Sequence, residues 1–252
     1  MTKNTSEQKT IEHDTEAQTA NVDLDEIAKF EALAARWWDT ESEFKPLHEI
    51  NPLRVNFINQ HSPVAGQSVI DIGCGGGILS EALASMGAEV TGIDMGELPL
   101  NIARQHASDN GVTVEYKQDT AEAIAEARPG QYDIVTCLEM LEHVPEPGSV
   151  IAACAKLCKP GGHLYFATIN RNPKAYLFAI IGAEYALQLL PKGTHEYAKF
   201  LKPSELHRWM RQCNLDLSHS TGMAYNPLTK RYRLDPHDLS VNYLLHAVKT
   251  ND

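Results

Sequence analysis

Hydrophobic patterning is absent at the start of the chain. Residues 1–22 are polar and acidic with almost no large apolar side chain, the composition of a disordered tail. From Asp23 the pattern turns helical. Ile27, Phe30, Leu33, Ala34 and Trp37 fall on one face, and Asp23 with Glu26 reads as an N-terminal capping pair. A second helix is expected over about 52–60. Short apolar runs then alternate with amphipathic stretches. Residues 69–72, 89–94, 113–116, 131–138 and 163–169 read as strands, with helices from Ile78, over 98–110 and over 149–157. A further helix starts at Lys202-Pro203, and 215–223 and 241–248 read as closing strands. This rhythm predicts an α/β fold with a Rossmann-like, doubly wound, mostly parallel sheet of seven strands and right-handed crossovers. One domain over 23–252 would carry N-terminal helices as a cap (23–62) and an insertion after strand five (170–200).

The insertion breaks the pattern. Residues 175–190 are nearly apolar, interrupted only by Gly182, Glu184 and Gln188 and flanked by Lys174 and Lys192. No stretch reaches the ~18 uninterrupted apolar residues of a spanning helix. Two readings stand: a helix packed in a lid or dimer interface, or a segment whose apolar side chains enter lipid beside the lysines. Trp37 and Trp38 likewise either pack the cap onto the domain or line a lid. The basic stretch 226–235, with its tyrosine, either steers an anionic surface or is a solvated turn.

Composition narrows the partners. Among 252 residues, 22 Lys and Arg against 33 Asp and Glu leave a net charge of −11. That argues against a nucleic-acid partner, whose phosphates need clustered basic charge. Five cysteines without a CxxC pair fit reduced thiols in a cytoplasmic protein. The N-terminus shows no basic start followed by an apolar core, so no secretory signal is visible.

The chemistry gathers after the first strand. Four of the five positions 73–77 are glycine, which lets the backbone turn sharply and a ligand approach it. Strand, glycine loop and helix N-terminus make a nucleotide cradle. A dinucleotide fingerprint would need glycine where Ile78 stands. An acid, Asp71, precedes Gly73 by two positions, where it suits a cationic ligand and would repel a pyrophosphate. S-adenosylmethionine (SAM), with its ammonium and sulfonium and no phosphate, fits Asp71, Gly73 and Gly75. Asp94 ends the second strand, 17 residues past Gly77, near the ~20-residue offset of a ribose-binding acid; the alternative is a helix cap. Asp119 or Thr120 can meet the adenine amino group or cap a helix. Arg54, read in the first turn of its helix, either pairs with a carboxylate such as the cofactor's or is an ordinary surface arginine. Leu138 to His143, beyond the fourth strand, should border cofactor and substrate.

With these residues assembled, the chain resembles the class I SAM-dependent methyltransferases, and among them the ubiquinone biosynthesis O-methyltransferases. Arg36-Trp-Trp-Asp39, Glu43-Phe-Lys-Pro-Leu-His48, Ile50-Asn-Pro-Leu-Arg54, the glycine loop and Thr136-Cys-Leu-Glu-Met-Leu-Glu-His-Val-Pro145 carry the likeness. So do Tyr225-Asn-Pro227 and Val241-Asn-Tyr243, and it covers nearly everything after the tail. The resemblance implies SAM contacts at Arg54, Gly73, Asp94 and Leu138. It implies methylation of phenolic hydroxyls on a polyprenyl-hydroxyphenol and a demethylubiquinol. It also implies contact with an anionic membrane surface through 170–200, other ubiquinone-biosynthesis proteins as partners, and a place on the inner face of the cytoplasmic membrane. A phenol needs deprotonation, by a base or a metal ion. His143 is the candidate base, with Glu142 and Glu139 beside it; the alternative is a packing histidine. Glu139, Glu142 and His143 also have a spacing that can hold a divalent metal such as Mg. The competing functions are methylation of another small phenolic or carboxylate acceptor, and non-catalytic SAM binding within a complex.

Overall fold

The β-branched runs become the parallel half of one sheet in a computed structural model that describes residues 21–176 and 197–251. β1 (Ser68–Ile72), β2 (Glu89–Asp94), β3 (Glu115–Gln118), β4 (Tyr132–Leu138) and β5 (Cys158–Ile169) lie in the order β3-β2-β1-β4-β5 and pair in parallel. β6 (Leu215–Asn226), β7 (Arg231–Asp235) and β8 (Asn242–Lys249) extend the sheet antiparallel as β8-β6-β7. The sheet is therefore doubly wound and mostly parallel as expected, with eight strands rather than seven. The added strand is β7, which occupies the stretch read as a loop. Its five residues alternate outward Arg231 and Arg233 with inward Tyr232 and Leu234, a period-two signal too short to stand out.

Helices cover both faces: α1 (Leu24–Leu33), α2 (Lys45–His61), α3 (Ile78–Ser85), α4 (Glu97–Asp109), α5 (Ala121–Ala127), α6 (Pro147–Leu157), the single turn α7 (Pro173–Ala175) and α8 (Pro203–Gln212). Ile72, Val135, Ile151, Phe166, Leu206 and Leu245 pack α6 and α8 on one face. Ile58, Val69, Leu83, Ile134, Tyr165 and Leu244 pack α2 and α3 on the other. Each such side chain contributes roughly 1.5–3 kcal/mol by burial. The five cysteines are free thiols. The apolar run at 175–190 lies almost wholly outside the described residues, as does the tail over 1–20. Asn21 already belongs to the folded domain, donating from Nδ2 to Glu122 (2.9 Å) and to the Glu146 carbonyl (3.0 Å).

Three local expectations are corrected. α2 begins at Lys45, not near Pro52. Pro46 takes the first turn, where no N–H is missed, while Pro52 sits inside the helix and forfeits one backbone bond. Arg54 is thereby well inside the helix, and the first-turn argument does not apply to it. The expected turn at 159–162 is part of β5, a bulge with shifted register in which Gly161 takes φ 75°. Asp23 does cap α1, accepting the N–H groups of Asp25 (3.1 Å) and Glu26 (3.2 Å), but the Glu26 side chain does not complete a capping box. It is used elsewhere.

Candidate active site

At the carboxyl ends of β1, β2 and β4, where the strand order reverses, lies a cavity of about 960 Å³. All ten residues singled out from the sequence line it: Arg54, Asp71, Gly73, Gly75, Asp94, Asp119, Leu138, Glu139, Glu142 and His143.

The glycine loop is shaped by Asp94. Gly73, Gly75 and Gly77 adopt φ of 71°, 51° and 87°, the left-handed region that side chains resist. The Asp94 carboxylate accepts the N–H of Gly75 (2.9 Å) and of Gly96 (2.8 Å), while burial raises its pKa. Asp71, 3 % exposed, accepts hydroxyl protons from Ser80 (2.7 Å) and Thr136 (2.7 Å); burial pushes it up to about 6. It thus ties β1, β4 and α3 together, one hydroxyl on each oxygen. At Asp119 and Thr120 the capping alternative is realised by Thr120, whose Oγ1 accepts the Ala123 N–H (3.1 Å). Asp119 faces the cavity and accepts the Thr120 N–H (2.9 Å).

The N-terminal cap is both packed and cavity-lining. Trp37 lies against the loop so closely that a Cβ on Gly75 would stand 2.1 Å from its ring. Trp38 donates from Nε1 to the Gly76 carbonyl (2.9 Å) and stacks on His106. α1 forms a wall of the cavity, with Glu26, Ile27 and Phe30 lining it.

Beyond Leu138 the polar groups interlock. Arg54, 5 % exposed, donates from Nη2 to Glu139, and its Nε is buried without a hydrogen-bond partner. Asn242 Nδ2 donates to both Glu139 oxygens (2.9 and 3.0 Å), and Glu139 sits at φ 55°. Glu142 accepts from Thr168 Oγ1 (2.8 Å); burial and then the Glu139 charge push it up to about 7. His143 Nδ1 lies 2.8 Å from Glu26 Oε2, and the His143 ring meets Phe30 edge-on. Burial pulls the imidazole pKa down, but the Glu26 bond and the charges of Glu142 and Glu139 outweigh it and raise it. The same bond holds the Glu26 carboxyl far below its ordinary range. Lys199 closes the group, 3.0 Å from Glu26 and 3.2 Å from Asp23.

No three acidic, histidine or cysteine side chains among the described residues converge to hold a metal ion. Glu139 is turned to Arg54 and Asn242, Glu142 to Thr168, and His143 Nδ1 to Glu26, so the three as placed do not fit a shared ion. Glu26, Lys199, Asn242, Tyr225 and Tyr232 were missed from sequence. One of them left a signal: Glu26 lies on the apolar stripe of α1 with Phe30, Leu33 and Trp37, and a charge there must be paired.

A methyltransferase-domain family matches residues 46–220. The chain is 65 % identical to the ubiquinone biosynthesis O-methyltransferase of Stutzerimonas stutzeri, over 91 % of this chain and 99 % of that one. The chain belongs to the ubiquinone biosynthesis O-methyltransferase family. Relatives of that name in Saccharophagus degradans and Hahella chejuensis are 61 % and 62 % identical, over 92 % and 91 % of this chain and 98 % and 96 % of theirs. The fold is shared with the magnesium protoporphyrin IX methyltransferase of Synechocystis PCC 6803, solved with bound SAM, at TM-score 0.61 and 21 % identity over 92 % of this chain and 100 % of that one. Membership makes this a SAM-dependent methyltransferase.

Proposed function

We propose that this chain methylates phenolic hydroxyls of polyprenyl ring precursors of ubiquinone, a polyprenyl-hydroxyphenol and a demethylated quinol, using SAM. The observation that carries the reading is a cofactor cradle and a half-buried, carboxylate-paired histidine lining one cavity. Gly73, Asp94 and Leu138 border the nucleoside, and the unpartnered Arg54 Nε–H is a donor for the cofactor carboxylate. Asp71 acts through the loop it braces.

A phenol titrates near ~10, so a base is needed at neutral pH. With Nδ1–H donated to Glu26, His143 takes the phenolic proton on Nε2 as the oxygen attacks the sulfonium methyl. The new O–CH₃ bond forms, the S–CH₃ bond breaks, and the sulfonium leaves as a neutral thioether. The Glu26 carboxylate stabilises the imidazolium that results. The walls contributed by α1 and Trp37 exclude water from the transfer. His143→Ala should lower kcat on a soluble quinol analogue roughly 100-fold or more while SAM affinity holds. Unchanged kcat would remove the base. The divalent ion suggested by the Glu-x-x-Glu-His spacing has its own test: activity lost on thorough chelation and restored by Mg²⁺ would move proton removal from His143 to a metal.

The same reading places the protein on the cytoplasmic face of an anionic membrane, as a peripheral enzyme. No helix among the described residues is long and apolar enough to cross a bilayer. Support comes from the β6–β7 turn, where Leu228 is 93 % exposed beside exposed Lys230, Arg231 and Arg233. Co-sedimentation with anionic vesicles and not with zwitterionic ones is the expected result, and equal recovery with both would sink the idea.

A further inference from the structure

We propose that the inner face of the β6–β7 hairpin is the acceptor-binding wall of this enzyme, with Tyr225 and Tyr232 holding the phenolic ring. This deepens the O-methyltransferase reading and rests on it. The two tyrosines stand directly opposite each other in the antiparallel ladder, their ring centroids 4.8 Å apart, and both line the cavity with Met223 and Pro227. Strand alternation keeps Arg231 and Arg233 outside, so the hairpin presents an aromatic face inward and a basic face outward.

Position separates this wall from the cofactor cradle. Gly73, Asp94, Asp119 and Leu138 occupy the side of the cavity formed by the ends of β1 to β4. The hairpin closes the other side, beyond β8, where Met223 pairs in register with Asn242. Asn242 in turn grips Glu139, so the wall begins next to the Arg54–Glu139 pair. Neither tyrosine hydroxyl has a hydrogen-bond partner among the described residues, although both side chains are half-buried. Open to the cavity and without a protein partner, the two hydroxyls are available to a polar substituent on a bound ring. Burial, then the charge of Glu49, pushes the Tyr232 hydroxyl up to about 12, so it remains a neutral donor at working pH. The turn is stiffened by Asn226, whose Oδ1 accepts the N–H groups of Leu228 (2.9 Å) and Thr229 (3.2 Å). A rigid turn holds the two rings ready for a flat partner, and an aromatic acceptor is such a partner.

The test uses the full chain with SAM and a soluble quinol analogue. Tyr225→Ala and Tyr232→Ala should each raise the acceptor KM about tenfold or more, with SAM affinity unchanged; Tyr→Phe at either position should recover most of the loss. Tyr232→Leu, which keeps apolar bulk without a ring, decides the matter if an alanine variant fails to fold. Acceptor KM unchanged in the leucine variant, or acceptor KM rising and SAM affinity falling together in step with melting temperature, would overturn the wall. Wild-type enzyme that methylates no phenolic acceptor would instead overturn the reading beneath it.

Discussion

Asp94 holds the loop before it holds any ligand, because its two oxygens fix the N–H groups of Gly75 and Gly96. Asp94→Ala removes both acceptors together with the ribose contact proposed for this carboxylate, and should weaken SAM binding about 100-fold or more by calorimetry. Binding within a few-fold of wild type would count against the role. Gly75→Ala meets two obstacles: φ of 51° strains any side chain by about 1–3 kcal/mol, and its Cβ would run into Trp37. Both melting temperature and SAM affinity should fall; a change in neither would mean the cap does not rest on the loop in solution. Asp94 and the glycines were legible from sequence because strand, loop and helix follow one another within a few residues. The Glu26–His143 pair was not, since it joins positions 117 apart and no spacing rule spans that distance. Arg54 was read as exposed or ligand-bound, and the answer depended on Glu139, 85 residues away.

Whole elements were legible where their periodicity ran long. The parallel strands and the helices α3, α4 and α6 came through with ends displaced by a few residues, while the seven-residue α5 was foreshadowed only by a possible cap at Asp119 or Thr120. α2 and β5 were cut short because Pro52 and the Pro160-Gly161-Gly162 run punctuate locally, and tertiary packing carries the element past them. β7 was lost because it is short, basic and at the sheet edge, although its inward face lines the cavity. The cap offers a test of a similar long-range tie. α1 is held over the cavity by Lys199, which sits between Asp23 and Glu26 and comes from just before α8. Lys199→Met leaves two carboxylates without that partner. Backbone amides of α1 should then exchange with deuterium about tenfold faster, while those of α6 do not change. Equal protection of α1 in both proteins would show that Trp38 and the apolar stripe suffice to seat the cap.

Across the whole molecule, one acid-sensitive element sits at the end of the sheet opposite the cavity. There His246, buried in β8, lies 2.9 Å from His163 and 3.1 Å from His219, with the His61 ring 5.3 Å away and Tyr165 stacked on it. Burial, then the neighbouring histidines, pulls His246 down to about 3, and the pKa values of His163 and His219 are lowered as well. Unfolded, each would titrate near ~6.5, so below that pH the unfolded chain binds protons that the folded one refuses. The cluster's contribution to stability is therefore intact above about 6.5 and is lost as pH falls from there toward 3. For His246 alone the loss at pH 5 is about 2 kcal/mol. A second effect runs the other way: the net charge of −11 shrinks as carboxylates protonate, which relieves self-repulsion. Glu142 and Asp71, raised by burial to about 7 and about 6, also take up protons in the folded state and oppose the cluster, so its effect is read as a difference between two proteins. Between pH 7 and pH 5 in 0.15 M salt, the urea midpoint of the wild type should fall relative to that of His246→Gln, which cannot charge. Parallel slopes for the two proteins would remove the cluster as the source of acid sensitivity.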